Sequence, residues 1–346
     1  MQKALQWQTW EEWNAGRKKI IYIVKRLTSI KLTDATLTIC GKETETRLPL
    51  ESILRLVFIG VPHCHPALLY KMVKKGISID ILDALGKPQA VMHAATNKAV
   101  YFLDKQMEFE ERPESCFALA RVTVMAKIHN QISLLRRNAP SVTDLRASIR
   151  QLEQLPDKVD WSRLRGLEGQ AGRYFFSQMA HLLSPFRFSG RKARPAPDPV
   201  NSMLSLGYSL LHNRIGDAIM SSGLAPQWGF FHRGRGTHWA LASDLIEEWR
   251  HEVDRMVIRL IHLRQVKPED FKIRNDTCVF ANSDKFAVFL DAFETRFSSL
   301  LESPFDRPGC PAGTQVSRNE WLVAGVKSYV GHICGYGRYL PYQVSH

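Results

Sequence analysis

Apolar residues alternate with polar residues in short runs near the start of the chain. The segment 18–40 is rich in Ile, Val, Thr and Leu and is punctuated by polar turns, which is typical of successive β-strands. Further short strands are predicted at 54–59 and 77–82. Between them, Pro66 suits the first turn of a helix and Gly76 suits the position just past its end. This part of the chain is therefore predicted to be β-rich.

After about Thr96 the apolar positions recur with the period of an α-helix, 3.6 residues. Three helices are predicted from this pattern. Their apolar stripes are Val124, Ile128, Ile132 and Leu135; Leu204, Tyr208, Leu211, Ile215 and Ile219; and Leu245, Trp249, Val253, Met256 and Leu260. Asp198 and Pro199 carry the start signal of the second helix, and Gly223 carries its stop signal. The expected fold class is α+β, with a β-rich part followed by a larger, all-helical part.

The length and the net charge of the chain limit the kinds of protein that it can be. With 346 residues it is long enough for two ordinary domains. Lys and Arg number 47 against 34 Asp and Glu, and this surplus favours a polyanionic partner such as nucleic acid. A basic surface that only maintains solubility is the alternative. Scattered cysteines, no membrane-length apolar run and no apolar secretion signal predict a cytoplasmic protein with reduced thiols.

A basic, proline-rich loop is predicted at 186–200, where four basic residues accompany three prolines. Regular helix cannot continue through such a segment. Arg191, Lys192 and Arg194 are candidates for contacts with a phosphate backbone. A solvated linker without a binding role is the alternative interpretation.

The first candidate site is the PHCHP segment at 62–66. Its ligand-type residues His63, Cys64 and His65 are consecutive, whereas zinc ligands are usually spaced by two or more residues. The second, distant ligand pair that such a site needs is also absent from the sequence. A loop between a strand and a helix is the preferred interpretation.

The second candidate is the helix that is predicted to begin near Leu241. Acidic and histidine side chains lie opposite its apolar stripe: Asp244, Glu247, Glu248, His251 and Asp254. Asp244 and Glu247 are three residues apart, so both carboxylates can point from one helix face towards one cation. A solvated helix face is the alternative, and a metal site needs ligands from elsewhere.

Two glycine-marked segments supply such ligands. Glu168 lies in RGLEGQAGRYFF at the start of an apolar helix, where a carboxylate is costly to bury unless it is paired or metal-bound. His232 in GLAPQWGFFHRGRG is either a packed histidine or a ligand beside a phosphate-binding loop with Arg233 and Arg235. Two carboxylates and an imidazole suit Mg²⁺ or Mn²⁺, although ligand type leaves zinc open. Motifs typical of P-loop NTPases, α/β-hydrolases and zinc proteases are absent from the sequence.

Four segments occur together in a specific order: RGLEGQAGRYFF, RPAPDPVNSMLSLGYSLLHNRI, SGLAPQWGFFHRGRG and LASDLIEEWRHEVDRMV. In this order and spacing the chain resembles the CRISPR-associated integrases of the adaptation step, the Cas-one family, over 17–346. The resemblance implies Glu168, His232 and Glu247 as ligands of a Mg²⁺ or Mn²⁺ ion. It implies Asp244 as a supporting, fourth member of the catalytic set.

The same resemblance implies an organisation in domains. A β-sandwich-like dimerisation domain would occupy 17–96, followed by a linker at 97–112 and a helical catalytic domain at 113–346. The extension 1–16 has no counterpart in the family, and its role is open. Its three tryptophans at three-residue spacing are typical either of a docking helix or of the remnant of a fused module, such as a reverse transcriptase.

For function, the resemblance implies a metal-dependent DNA integrase and endonuclease. Such an enzyme inserts short foreign DNA fragments, called spacers, into a CRISPR array by 3′-hydroxyl attack on phosphodiesters at the repeat borders. The implied partners are double-stranded DNA, a second copy of the chain, and a small Cas-two protein whose dimer bridges two homodimers into a heterohexamer. A repair nuclease for branched DNA and a non-catalytic nucleic-acid-binding scaffold are the alternatives.

Overall fold

A computed structural model describes residues 19–24, 29–41, 45–83, 86, 88–94, 102–136, 141–156, 158–183, 186–192, 195–232 and 238–344. The extension 1–16 and the candidate DNA-binding residues Arg194, Arg233 and Arg235 lie outside the described residues. The chain divides into two compact units. The first comprises the described residues up to 94 together with Asn282–Thr295, and the second comprises those from 102 to Ala281 and from Arg296 onwards.

The first unit consists mainly of strands. Up to residue 94 its elements are β1 Lys19–Ile23, β2 Ser29–Thr33, β3 Thr36–Cys40, β4 Glu45–Pro49, a 3-10 helix Leu50–Ser52, β5 Ile53–Ile59, α1 Pro66–Lys74, β6 Ser78–Leu82 and β7 Pro88–Met92. One sheet has the order β1-β5-β6-β7, in which β1, β5 and β6 are parallel and β7 is antiparallel to β6. The strands β2, β3 and β4 form a separate antiparallel sheet.

The two sheets of the first unit share one apolar core. Ile21 from β1, Leu37 from β3 and Leu56 from β5 are at most 1% exposed and belong to one cluster, which also contains Met72 from α1. This arrangement confirms the expected β-sandwich-like, β-rich start of the chain. The strands β4 and β7 were not predicted, because β4 buries only Leu48 and β7 buries no residue fully. Such strands carry little periodic apolar signal.

The PHCHP segment forms the predicted loop between β5 and α1. The backbone N–H of Ala67 donates a hydrogen bond to Nδ1 of His65 at 3.2 Å, so this histidine acts as the N-cap of α1. Pro66 is the first residue of α1, and Gly76 lies just past its end with a φ of +79°. Glycine adopts this left-handed conformation without steric cost, so both predicted boundary signals of the helix are confirmed.

The second unit is mostly helical. The remaining helices of the chain are α2 Leu103–Glu110, α3 Pro113–Leu135, α4 Thr143–Glu153, α5 Trp161–Leu182, α6 Pro199–Ser221, α7 Ala240–Leu245, α8 Arg250–His262, α9 Ser283–Ser298 and α10 Arg318–Ile333. Short hairpins join β8 Phe271–Arg274 to β9 Thr277–Phe280 and β10 Leu300–Glu302 to β11 Gln315–Ser317, and a 3-10 helix covers Pro268–Asp270. The α+β class is confirmed, and the hairpins are additions to the expected all-helical part. Most of α9 belongs to the first unit.

Two predicted helices follow their apolar stripes closely. In α3, Val124 and Leu135 are completely buried. In α6, the side chain of Asp198 accepts a hydrogen bond from the backbone N–H of Asn201 at 2.8 Å and caps the helix. Gly223 follows the end of α6 with a φ of +80°. Among the described residues, no helix combines the length and the apolar character that a bilayer crossing requires.

The third predicted helix is interrupted, and this corrects the prediction. The helix α7 ends at Leu245 and α8 begins at Arg250, with a turn at 246–249 in which the backbone N–H of Trp249 donates to the carbonyl of Ile246 at 2.8 Å. No glycine or proline marks this turn, so the apolar stripe runs through it without a local signal. The turn carries two adjacent buried glutamates, and their partners lie in different parts of the second unit.

Candidate active site

Two carboxylates from distant parts of the chain meet at one lysine. Glu168 lies in the first half of α5, and Glu247 lies in the turn between α7 and α8. Lys127, in α3, forms an ion pair with each of them: its Nζ contacts Oε1 of Glu168 and lies 2.7 Å from Oε2 of Glu247. The two carboxylates therefore converge on a single cationic position.

This cluster is buried on one side and open on the other. Glu247 is 3% exposed, whereas the side chain of Glu168 is 24% exposed. Burial alone would raise the pKa of Glu247, but the charges of Arg250 and Lys127 outweigh it and lower the pKa to about 2. Glu247 therefore carries a negative charge at neutral pH and is suited to binding a cation.

A fully buried carboxylate holds His232. Asp244 accepts hydrogen bonds from Nδ1 of His232 at 2.7 Å, from its backbone N–H at 2.8 Å and from the backbone N–H of Phe231 at 3.0 Å. Burial favours the neutral imidazole, but the hydrogen bond and charge of Asp244 outweigh this effect and raise the pKa of His232. The charges of Glu247 and Glu168 act in the same direction on the pKa of His232.

The contact with Asp244 decides which ring nitrogen of His232 is available. Asp244 occupies Nδ1, and Nε2 has no hydrogen-bond partner among the residues that the structure describes. The side chain of His232 is 38% exposed, so the ring is accessible. In metal sites, a carboxylate at one ring nitrogen commonly orients the imidazole and leaves the other nitrogen for the metal.

Gly229 makes the packing around Asp244 possible. A Cβ atom at this position would lie 2.5 Å from Oδ2 of Asp244 and 2.7 Å from the carbonyl oxygen of His232. Real Cβ atoms essentially never make contacts this short, so any side chain would displace the pair. The glycine of QWGFFH, which the sequence indicated only as part of a glycine-marked segment, therefore has a steric role.

The acidic residues predicted on one helix face are buried. At most 3% of each of these residues is exposed: Asp244, Glu247, Glu248, His251 and Asp254. The alternative of a solvated helix face is therefore wrong. The expectation that Asp244 and Glu247 face one cation is also wrong, because Asp244 is directed towards His232. Glu247 instead contacts Lys127 and, through Oε1 at 2.9 Å, Nε of Arg250.

The predicted basic loop is only partly solvated. Phe186 is buried at its start. Arg191 donates to Oδ1 of Asn201 at 3.0 Å and to Oγ of Ser205 at 3.1 Å, both in α6. The backbone N–H of Lys192 also donates to Oδ1 of Asn201, at 2.8 Å, while the lysine residue is exposed. The loop therefore holds Arg191 against α6 and presents Lys192 to solvent.

Two cations that the sequence patterns did not single out complete the cluster. Lys127 lies between the buried residues Ala126 and Ile128 in α3, and a buried lysine needs a negative charge nearby. That need was the available signal for Lys127. Arg250 follows Glu247 by three residues, a spacing at which ion pairs are common.

The side chains of Glu168, Glu247 and His232 suit a divalent cation by their chemistry, but Lys127 lies between the two carboxylates. In the described part of the chain, no three His, Cys, Asp or Glu side chains are already gathered around one point. Nζ of Lys127 stands between Glu168 and Glu247, at the position that both carboxylates address. Two carboxylates and an imidazole nitrogen are nevertheless ligand types that Mg²⁺ and Mn²⁺ accept. Binding of such an ion requires Lys127 to move aside.

The sequence matches a known family along most of its length. Residues 21–295 match the model of the family described as CRISPR associated protein Cas1. The protein named CRISPR-associated endonuclease Cas1 3, from Thermus thermophilus, is 31% identical over 338 residues, which cover 95% of this chain and 98% of the relative. A family match of this extent covers every described residue of the candidate active site.

Solved structures share the fold. A casposase bound to an integration product superposes with a TM-score of 0.79 and 19% identity, over 94% of this chain and 94% of the casposase. A chain of a Cas6-RT-Cas1–Cas2 complex gives a TM-score of 0.75 and 22% identity, over 94% of this chain and 36% of that longer chain. At these identities the likeness concerns the fold alone.

Proposed function

Because the chain belongs to the Cas1 family of CRISPR-associated proteins, we propose that it is a divalent-metal-dependent DNA endonuclease and integrase that inserts short DNA fragments into a CRISPR array. The observation that carries this proposal is the convergence of Glu168 and Glu247 on one cationic position. The name of the Thermus relative supports the endonuclease activity. Strand joining is proposed by analogy with the casposase that shares the fold and is bound to an integration product.

The groups proposed to hold the metal are the carboxylates of Glu168 and Glu247 and Nε2 of His232. Mg²⁺ or Mn²⁺ bound there would supply positive charge beside the phosphate that reacts. Asp244 keeps Nδ1 of His232 occupied, so Nε2 is the nitrogen available for this role. Lys127 has to leave its position between the carboxylates when they bind the ion.

In the proposed reaction, a 3′-hydroxyl of a DNA fragment attacks a phosphodiester at the border of a repeat. A bond forms between this 3′ oxygen and phosphorus, while the bond from phosphorus to the 3′ oxygen of the flanking strand breaks. The number of phosphodiesters is unchanged, the attacking 3′-hydroxyl gives up its proton, and the leaving 3′ oxygen takes one up. With water as the nucleophile the same substitution is hydrolysis, which accounts for an endonuclease activity. Arg250, beside Glu247, adds positive charge near the reacting phosphate.

The proposed partners are double-stranded DNA, a second copy of the chain and a small Cas2 protein. A surplus of 13 basic residues suits a DNA partner. The complex whose chain shares this fold is a Cas6-RT-Cas1–Cas2 complex, and a reverse transcriptase module is a further proposed partner of this chain. Two homodimers bridged by a Cas2 dimer would form a heterohexamer. Light scattering of the mixed proteins tests this assembly, and a mass below that of the heterohexamer contradicts it.

Variants of the proposed ligands test the function. Glu168→Ala and His232→Ala should reduce insertion of a labelled fragment into a repeat-bearing plasmid at least about a hundredfold, because the metal loses a ligand. The reaction contains the Cas2 partner and Mg²⁺ or Mn²⁺. Glu269→Ala removes an exposed carboxylate and is the matched control, with activity expected at the wild-type level. Full activity in either ligand variant would refute the proposal.

Two further measurements separate the alternatives. Covalent insertion of the labelled fragment distinguishes an integrase from a repair nuclease, which would only cut branched DNA. Titration with Mn²⁺ distinguishes an enzyme from a non-catalytic scaffold, because a scaffold binds DNA without a metal requirement. Cleavage without joining would favour the nuclease, and binding of DNA with neither reaction would favour the scaffold.

A further inference from the structure

Two arginines lie close to one tyrosine ring, and one of them, Arg250, also contacts Glu247. The guanidinium carbon of Arg250 lies 4.8 Å from the ring centroid of Tyr208, and that of Arg191 lies 5.4 Å from it. Both distances are within the range of cation–π contacts. We call these three residues the Tyr208 cluster. Its arginines come from a loop and from α8, so two separate parts of the chain bring positive charge to one ring.

Hydrogen bonds within the protein orient both arginines. Nε of Arg250 donates to Oε1 of Glu247 at 2.9 Å, and the terminal nitrogens of Arg250 form no hydrogen bond among the described residues. The side chain of Arg250 is 29% exposed. Arg191 is held by Asn201 and Ser205 in α6, at 3.0 and 3.1 Å. The guanidinium of Arg250 is therefore oriented by the protein while its outer edge stays open to a ligand.

A buried carboxylate holds the hydroxyl of Tyr208. This hydroxyl donates to Oδ1 of Asp254, which is 1% exposed and lies one helical turn after Arg250 in α8. Burial raises the pKa of Asp254 to about 7, so near neutral pH this carboxylate offsets the charge of the arginines only in part. Among the described residues, Glu247 is the other carboxylate that contacts the Tyr208 cluster, so two guanidinium groups leave an excess of positive charge.

We propose that the Tyr208 cluster binds a backbone phosphate of the DNA strand that is cut, next to the phosphate that reacts. The inference rests on the proposed function. Arg250 provides paired N–H donors for the phosphate oxygens, and Arg191 adds the second positive charge. The contact of Arg250 with Glu247 links this phosphate site to the metal-binding carboxylates, so it fixes the register of the strand relative to the metal. Phosphate contacts position a nucleic acid without reading its sequence.

Neutralising single phosphates of the DNA tests this inference. A set of repeat substrates carries one methylphosphonate at successive positions around the scissile bond, and single-turnover insertion is measured for the wild type and for Arg250→Gln. With unmodified DNA, Arg250→Gln should slow insertion about tenfold to a hundredfold. One methylphosphonate position should slow the wild type by a similar factor. At that position Arg250→Gln should cause no further loss, because both changes remove the same contact.

Additive losses at every position would overturn the proposal, since they would assign Arg250 a structural role only. Mn²⁺ affinity separates an effect on Glu247 from an effect on DNA, and we expect Arg250→Gln to keep the wild-type affinity. A parallel loss of Mn²⁺ affinity and rate would also overturn it. Arg250→Lys keeps the charge but not the paired donors and should recover part of the rate.

Two more variants complete the design. Arg259→Gln changes an exposed arginine of α8 and is the matched control, with wild-type rates expected. Arg191→Gln does not touch Glu247 and should show the same coupling to the methylphosphonate at smaller amplitude, so the inference stays testable if Arg250→Gln fails to fold. Absence of insertion by the wild type would contradict the proposed function. A different result would contradict only the proposed phosphate site: the wild type inserts the fragment, but at no methylphosphonate position do Arg250→Gln and Arg191→Gln lose their own effect.

Discussion

Glu247 and Glu248 are neighbours in the turn between α7 and α8, and they are 3% and 2% exposed. Glu247 forms ion pairs with Lys127 and Arg250. Glu248 accepts hydrogen bonds from the backbone N–H of Tyr342, in the C-terminal segment, and from Nε1 of Trp249 at 2.9 Å, while its ion pair with Arg307 is longer, at 3.7 Å. Burial dominates at Glu248 and raises its pKa, whereas the neighbouring cations lower the pKa of Glu247 to about 2. The two glutamates are therefore almost equally buried, but their pKa values are shifted in opposite directions.

Two residues of α3, Lys127 and Asn130, lie one turn apart and contact these two glutamates in different ways. Lys127 pairs with Glu247, while Asn130 donates to the backbone carbonyls of Glu248 and Tyr342, each at 2.9 Å. A charged side chain can exchange its partner for a metal ion or a phosphate. A hydrogen bond to the backbone is lost only when the chain itself moves. We call the surroundings of Glu247 the site side and those of Glu248 the scaffold side.

The largest expected effect separates these two glutamates by activity. Glu247→Gln removes a proposed metal ligand, so the insertion rate should fall about a thousandfold while the protein stays folded. Glu248→Gln should keep the rate of the folded protein but lower the free energy of unfolding by about 2 kcal/mol, because its buried partners lose a charged acceptor. Insertion assays and urea titrations measure the two quantities. A similar loss of insertion rate in both variants would contradict the distinction between the site side and the scaffold side.

Lys127→Met should weaken the metal-free protein. The two carboxylates then lose the counter-charge that they share, while Arg250 still pairs with Glu247, and we expect the free energy of unfolding to fall by about 3 kcal/mol in EDTA. Saturating Mn²⁺ should restore most of this loss, because the ion replaces the ammonium group. Thermal unfolding with and without Mn²⁺ gives both numbers, and Lys105→Met, which removes the lysine of a half-exposed ion pair with Glu108, is the control. A loss that Mn²⁺ does not reverse would argue against a shared cation position.

Acid pH should also distinguish the two sides in EDTA. The pKa of folded Glu247, about 2, lies below its ordinary value of 4.5, so its charge stabilises the fold fully above pH 4.5. This contribution, roughly 3 kcal/mol, is lost as the pH falls through 4.5 towards 2. The raised pKa of Glu248 has the opposite sign, because its contribution is present below the ordinary value and is lost as the pH rises through the folded pKa.

The stability deficit of Glu247→Gln should therefore shrink on acidification, whereas that of Glu248→Gln should not. Urea titrations from about pH 5 to about pH 2.5 measure both deficits against the wild type. A constant deficit for Glu247→Gln would mean that Lys127 and Arg250 do not hold this carboxylate in its charged form.

The smallest expected effect tests the scaffold side alone. Asn130→Ala removes hydrogen bonds to the backbone of Glu248, Tyr342 and Val344, and we expect it to lower the free energy of unfolding by about 1 to 2 kcal/mol. Lys127 lies one turn away in the same helix, so the two variants form a matched pair. The Mn²⁺-dependent increase in stability should be unchanged in Asn130→Ala. A reduced Mn²⁺ response would show that the two sides are coupled through α3.

Sequence patterns predicted those elements that carry a long apolar signal of their own. The helices α3 and α6 bury a face over many turns, and capping residues such as Asp198 mark their ends. The strands β4 and β7 bury too little to be recognised, and the turn at 246–249 has no local marker. Within the candidate site, the motifs located Glu168 and His232, but no pattern indicated that Lys127 stands between the carboxylates.

The sequence by itself determined the fold class, the family, and the short segments that contain Glu168, His232 and Glu247, because helical periods and motifs are local features of a chain. Only the tertiary structure decided that Asp244 turns to His232, away from the cation that Glu247 faces. It also decided that Glu247 and Glu248 serve different sides of one turn. Ion pairs and buried hydrogen bonds depend on distances between helices that are far apart in the chain, and burial magnifies their strength.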